Sequence, residues 1–314
     1  MSVDMIPVVV AFTPGYFIPA STCLFSAFDC LEQGEKLHVI CLLSEELPQR
    51  MKQKIRLIGN GRSRYTFINL RGRLRDIYVD AKYTEAASYR LLLPDLLPEY
   101  EKVIYMDCDL IVRNDLAVLY RTVNLGENYL AAVFEAPLDF QAEHIKKIGC
   151  EPMKYINSGF LIMNLKLMRN DRMVEKFLEA SKAGYLEFPD QDVLNRLCKD
   201  RILGLSPCYN GIRTFYLPQY KKDFLHKYSE QDWKEVQEHG NVHYTGAKPW
   251  QHFTIEFKLW WQYYDRLPET VKNEWKADKR LYRLYRFNQT TCGAWLVDRF
   301  QNLYRKLKYR KTGI

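Results

Sequence analysis

Val103-Ile104-Tyr105-Met106-Asp107-Cys108-Asp109 decides how the rest of the chain is read. Four apolar residues in a row suit a strand buried on both faces, the setting of a parallel sheet covered by helices. The two acids then lie at the strand's carboxyl end, where open α/β sheets place their ligand crevice. Aspartates two residues apart can each give one oxygen to Mn²⁺ or Mg²⁺, leaving positions for the oxygens of a diphosphate. Asp is also common in strand-to-loop turns, so the tripeptide alone leaves both readings open. Cys108 between the acids reads as a spacer pointing away from the cation, with a thiolate ligand as the lesser alternative.

Working outward, apolar runs alternate with amphipathic segments. Val8–Phe12, Leu37–Leu43 and Tyr65–Leu70 read as strands, with helices over Ile18–Leu31 and Glu45–Ile58 between them. This βαβαβ rhythm predicts a mostly parallel sheet with helices on both faces. A helix over Thr84–Leu93, with Thr84-Glu85 at its N-cap, leads into the strand before Asp107. Leu130–Phe134 and Gly159–Asn164 read as further strands, followed by a helix near Asp171–Ala183. Pro189-Asp190-Gln191-Asp192 reads as a helix N-terminus, where free backbone N–H groups favour polar or anionic partners.

The totals bound the function. At 314 residues, 47% hydrophobic and 14% aromatic, the chain can bury a substantial core. No run approaches the roughly 20 apolar residues of a membrane span. The first residues carry no basic group ahead of Val8–Phe12, which is too short for a secretory signal. The eight cysteines show neither CxxC nor zinc spacing and read as reduced thiols of a cytoplasmic protein. Net charge is +8, of which residues 279–314 carry +9, with Asp298 as their single acid. The predicted division is therefore 1–255 as the main domain and 256–314 as an aromatic, basic, helical region.

Further motifs follow the acid pair in order: Tyr155-Ile156-Asn157-Ser158-Gly159-Phe160, Asp190-Gln191-Asp192 and His243-Tyr244-Thr245-Gly246-Ala247-Lys248-Pro249-Trp250, with Ala86-Ala87-Ser88-Tyr89-Arg90-Leu91 upstream. Over roughly residues 5–255 the chain resembles glycosyltransferase family 8, which includes bacterial lipopolysaccharide galactosyl- and glucosyltransferases and glycogenin. The resemblance implies a GT-A-type nucleotide-diphospho-sugar transferase fold and a retaining hexosyltransferase. It also implies a UDP-sugar donor, galactose or glucose, and a glycan acceptor such as a lipopolysaccharide or capsule precursor. Other expectations the residues leave open are a protein or small-glycoside acceptor, or a non-catalytic nucleotide-sugar-binding protein.

By the same resemblance Asp107, Asp109 and His243 are metal ligands, and this O/O/N set favours Mn²⁺ over Mg²⁺ because imidazole is the softer donor. Lys248 is the ammonium for the departing diphosphate, with Gly246 allowing close backbone approach. Its spacing, His-x-x-Gly-x-Lys, is one residue shorter than in some relatives. Arg90 reaches the diphosphate and sugar, Asn157 and Ser158 touch the sugar as they leave the strand beginning at Gly159, and Asp190 and Gln191 lie beside the anomeric carbon. An amide is a poor nucleophile, so front-face substitution with Gln191 stabilising an oxocarbenium-like centre is preferred. Asp190 as a covalent nucleophile is the alternative. At the first strand's exit, relatives carry an Asp and an Asn for uracil and ribose, whereas this chain reads Ala11-Phe12-Thr13-Pro14-Gly15-Tyr16. Tyr16 can still stack on a base, and the identity of that base is left open.

In the tail, apolar residues at 296, 300, 303, 304 and 307 form a helical stripe among basic ones. This predicts binding to an anionic inner-leaflet surface through residues 279–314, with a solvated tail as the alternative. Nucleic acid is not expected, because the body of the chain is nearly neutral. Oligomeric state has no signal in the sequence.

Overall fold

Nine strands organise the computed structural model, which describes residues 5–74, 77, 85–297 and 299–300. They are β1 (Ile6–Phe12), β2 (Leu37–Leu43), β3 (Ser63–Asn69), β4 (Lys102–Met106), β5 (Leu110–Ile111), β6 (Leu130–Phe134), β7 (Ile156–Asn164), β8 (Ile202–Gly204) and β9 (Val242–His243). Seven form one sheet in the order β3-β2-β1-β4-β7-β6-β8, in which only β7 runs against its neighbours. Ligand-facing ends of the parallel strands and the beginning of β7 therefore share one edge.

Side chains alternate between two cores, as a period of two requires. Val8, Val10, Phe12, Ile104 and Met106 pack beneath α1 (Phe17–Asp29). Val9, Val103 and Tyr105 face the opposite side, with Tyr89, Leu91, Phe177 and Val193. Each buried aliphatic side chain contributes about 1.5–3 kcal/mol relative to exposure. Trp260, Trp261 and Tyr285, from the helices Phe257–Arg266 and Lys279–Asn288, belong to the same core as α1. The aromatic richness beyond residue 255 is in large part core filling.

Several boundaries differ from the sequence reading. The second helix spans only Gln49–Ile55: extended Pro48 starts it, and past Ile55 the bonds tighten, Leu57 N–H to Lys54 and Ile58 N–H to Ile55, ahead of left-handed Asn60 between two positive-φ glycines. The helix expected at Thr84–Leu93 is broken into Glu85–Ser88, a 3₁₀ turn Tyr89–Leu92 and Leu93–Leu96. Pro94 has no N–H to offer the Arg90 carbonyl, which accepts from Leu93 instead. Thr84 lies outside the described residues. The helix near 171–183 is Met173–Ala180, after left-handed Arg172. β7 begins at Ile156, so Asn157 and Ser158 lie within the strand and not ahead of it.

A second ladder carries the geometry of the site. β5 follows Asp109 directly and pairs with β9, Leu110 opposite His243 and Ile111 opposite Val242. Tyr244 N–H donates to the Asp109 carbonyl at 3.0 Å, which locks this register. Among the described residues, no helix is long and apolar enough to cross a membrane. Tail positions 303–311 lie outside the described residues.

Candidate active site

The residues given a metal, sugar, phosphate or base role in the sequence all line one cavity of about 520 Å³ at the carboxyl edge of the sheet. Ala11, Phe12, Thr13 and Tyr16 enter from the exit of β1. Asp107, Cys108 and Asp109 come from the exit of β4, and Asn157 and Ser158 from the start of β7. Arg90 enters from the broken helix, Asp190 and Gln191 from the helix Pro189–Cys198, and His243, Gly246 and Lys248 from β9 and its loop.

One ligand atom each from Asp107, Asp109 and His243 lies within 4.8 Å of the other two. His243 Nε2 is 3.3 Å from Asp109 Oδ1 and 3.8 Å from Asp107 Oδ2. Lys248 Nζ bonds the other Asp109 oxygen and donates to the Tyr244 carbonyl at 2.7 Å. Burial works to raise the Asp109 pKa, and the Lys248 ammonium and His243 outweigh it, holding the carboxyl below the usual range. Asp107 Oδ1 accepts from Arg90 Nη2 at 2.8 Å and from Tyr105 OH at 3.0 Å, which leaves Oδ2 toward the imidazole. Gly159 shows that this space is reserved. A Cβ built there would come 2.2 Å from His243 Cε1 and 2.9 Å from Asp107 Oδ2. Two carboxylates and an imidazole nitrogen around a space kept clear by glycine fit a divalent cation.

On the side of the cavity lined by Arg90, Asp190 and Gln191 polar groups interlock. Arg90 is buried, lies 4.3 Å over the Tyr105 ring, and pairs with Asp190 Oδ2 at 3.1 Å as well as with Asp107. Its burial opposes the charge, and the two aspartates more than restore it. Asp190 also accepts from Ser158 Oγ at 3.0 Å, and burial raises its pKa despite Arg90. Gln191 Oε1 accepts from Ser158 N–H at 3.0 Å and from Asn157 Nδ2 at 3.1 Å, while Gln191 Nε2 donates to Glu135 at 3.3 Å. The side at the exit of β1 is plainer. Thr13 makes no capping bond, and Tyr16 packs edge-on against Trp250 at 5.7 Å. Cys108 is buried, its thiol pushed up by burial and directed to the Ala11 carbonyl, which is the spacer arrangement and not a metal ligand.

Sequence reasoning missed Glu135 and Asn210 here and gave Asp192, quoted within its motif, no role of its own. Glu135 is buried in the cavity wall, its pKa raised by burial against the bonds from Asn157 and Gln191. A signal existed: it follows the apolar run of β6 just as Asp107 follows β4. Asp192 accepts from Tyr155 OH, from His144 Nε2 at 2.9 Å, and from the N–H groups of Glu187 and Phe188, and so ties down the start of the Pro189–Cys198 helix. Asn210, wholly buried, accepts from His243 Nδ1 at 2.9 Å. No local pattern announces Asn210.

Comparison with known proteins bears on this arrangement. A family model described as Glycosyl transferase family 8 matches residues 7–254. Glycosyltransferase GlyE of Streptococcus pneumoniae serotype 4 is 28% identical over 240 residues, covering 69% of this chain and 52% of the relative. Lipopolysaccharide 1,2-glucosyltransferase of Escherichia coli K12 is 30% identical over 182 residues, covering 55% and 51%. The chain thus spans about half the length of these curated relatives. Among solved structures, galactosyltransferase LgtC in complex with donor and acceptor sugar analogs superposes with a TM-score of 0.69 at 21% identity, covering 86% of this chain and all of that one. That likeness is one of fold, the GT-A architecture.

Proposed function

The chain belongs to glycosyltransferase family 8, and on that premise we propose a metal-dependent, retaining hexosyltransferase that moves galactose or glucose from a UDP-sugar to a glycan acceptor. The observation that carries this reading is the meeting of Asp107, Asp109 and His243 in one cavity with Arg90, Asp190, Gln191 and Lys248. A Mn²⁺ or Mg²⁺ held by the first three would supply positive charge to a departing diphosphate. Lys248 adds an ammonium beside it, and Gly246, at φ +82°, lets the backbone approach.

The reaction breaks the bond between the sugar's anomeric carbon and the diphosphate oxygen. An acceptor hydroxyl bonds to that carbon from the same face and passes its proton to the departing phosphate. Asp190 and Glu135 place negative charge on the sugar side, which favours a carbon becoming cationic. Gln191, its carbonyl engaged by two donors, is fixed beside it. Arg90 and Ser158 both hold Asp190 at one oxygen, Oδ2, which fixes the carboxylate as a charge beside the carbon in the front-face route. Tyr16 would stack on the base, with Thr13 supplying a hydroxyl.

The acceptor is proposed to be membrane-linked, a lipopolysaccharide or capsule precursor. Lys279, Arg280, Arg283 and Arg299 are exposed, as are Phe287, Trp295, Leu296 and Phe300. Basic and apolar groups so mixed suit an anionic lipid surface, at about 1 kcal/mol per basic residue.

Nucleotide release from a panel of nucleotide sugars, with Mn²⁺ and with EDTA, tests the activity. Turnover of a UDP-hexose that EDTA abolishes is expected, and no turnover or metal-tightened binding with any donor would sink the enzyme reading. Sedimentation with anionic and neutral vesicles tests the surface. Arg280→Glu/Arg283→Glu/Arg299→Glu should lose the anionic-vesicle binding of the wild type, and unchanged binding would remove the membrane role.

A further inference from the structure

Asn210 takes no part in the reaction above, yet it is wholly buried and both ends of its amide are engaged. Which end faces which neighbour follows from two backbone donors that cannot turn round. Ser158 N–H points at Gln191 and makes the contacted atom an oxygen. Gly159 N–H points at Asn157 and does the same there, at 3.1 Å. Asn157 then presents its NH₂ to Gln191 Oε1 and Glu135, and its oxygen to Asn210. Asn210 must answer that oxygen with its own NH₂, at 3.0 Å, so its oxygen faces His243. His243 Nδ1 must therefore carry a hydrogen, and Nε2 is the nitrogen left for Asp107 and Asp109. Each donor points the same way along the chain His243, Asn210, Asn157, Glu135, which ends on a carboxylate.

We propose that Asn210 is a positioning residue for the cation. Its carbonyl fixes His243 with Nδ1 as donor and Nε2 toward the two aspartates, and its NH₂ ties that imidazole through Asn157 to the sugar wall at Gln191. Imidazole ligands are commonly oriented by an acceptor on their second nitrogen, and loss of that acceptor weakens metal binding by about tenfold to a hundredfold. Here the acceptor is an amide that does two jobs, and a substitution can separate them. Asn210→Ala removes both. Asn210→Asp keeps an acceptor for Nδ1–H and turns a second oxygen toward Asn157 Oδ1, which needs a donor.

The inference rests on the cation reading, so the test begins with Mn²⁺ affinity of the full-length protein, measured by calorimetry without nucleotide. Wild type should bind saturably, Asn210→Ala about tenfold to a hundredfold more weakly, and Asn210→Asp close to wild type. In turnover the Asp variant should keep its Mn²⁺ requirement and lose kcat, because only its sugar-side bond is broken. Absence of saturable binding by the wild type overturns the cation reading and this inference with it. Equal binding by wild type and Asn210→Ala overturns this inference alone. Equal weakening in both variants overturns it too, since that would be the mark of packing and not of a directed hydrogen bond. Asn210→Asp is nearly isosteric, so an Ala variant that fails to fold leaves the comparison intact.

Discussion

The two walls of the cavity are built by opposite means. At the wall proposed for the sugar, Arg90, Asp190, Ser158, Asn157, Gln191 and Glu135 hold one another through hydrogen bonds and an ion pair of 3.0–3.3 Å in a buried setting. At the wall proposed for the nucleotide, Ala11, Phe12, Thr13 and Tyr16 present surface with few polar bonds. A network of buried polar groups that hold one another fails when one member is changed, because the abandoned partner stays buried. A wall that contributes mainly area loses in proportion to what is removed. The first wall should therefore answer substitution abruptly and the second by degrees.

The largest break should come at Gly159, which touches the network and the cation site at once. Gly159→Ala is expected to abolish Mn²⁺ binding in calorimetry and to lower stability by about 1–3 kcal/mol in denaturant titration; ordinary Mn²⁺ affinity would show that the space is not reserved. Next is Asp190→Asn, which unpairs one side of a buried guanidinium. A fall of about a hundredfold or more in kcat is expected, in line with loss of one preorganised electrostatic contact, and a change confined to donor KM would place Asp190 outside the chemistry.

A pH series sharpens the contrast. Burial raises Asp190 and Glu135, so their ionised forms are lost, as pH falls, above the usual carboxylate range. Binding protons more readily folded than unfolded, these two gain stability for the fold as they protonate. Asp109 is held low by Lys248 and His243, so its contribution is present above the ordinary value and disappears only as pH falls through the depressed one. Transfer should therefore fail in mild acid while the melting temperature holds, measured as kcat/KM and Tm over one pH range. Coincident losses would contradict it.

The smallest effect belongs to the nucleotide wall. Thr13→Val removes one hydroxyl, worth about 0.5–1.5 kcal/mol, so donor KM should rise by no more than about tenfold with kcat unchanged. A larger loss would mean that this wall reads the base as strictly as the other holds the sugar.

The strands were legible where burial on both faces demands continuous apolar sequence, as in Val8–Phe12, Leu37–Leu43 and Val103–Met106. Helix ends were not, because single residues with particular backbone needs, Pro48, Pro94 and Arg172, set them. Within the site, residues at strand exits or in motifs could be named in advance. Asn210 could not, since its role depends on which atoms face it. The approach of Gly159 to His243 depends on the β5–β9 ladder, and two-residue strands have no periodicity to read.

The reversal of β7 has a bearing on how such a site can change over evolution. In a wholly parallel sheet, ligand-touching groups sit on the loops that leave the strands, and loops can be lengthened, shortened or exchanged. Because β7 runs the other way, Asn157, Ser158 and Gly159 enter the cavity from within a strand, at the irregular stretch between the Ile156–Phe134 and Phe160–Met106 pairs. An insertion there has to be absorbed between two fixed pairs, with little room beyond the bulge already present. The exit of β1 carries no such restraint. A lineage built on this plan can revise the β1 side of the cavity by exchanging a loop, whereas the β7 side is revised more readily one side chain at a time.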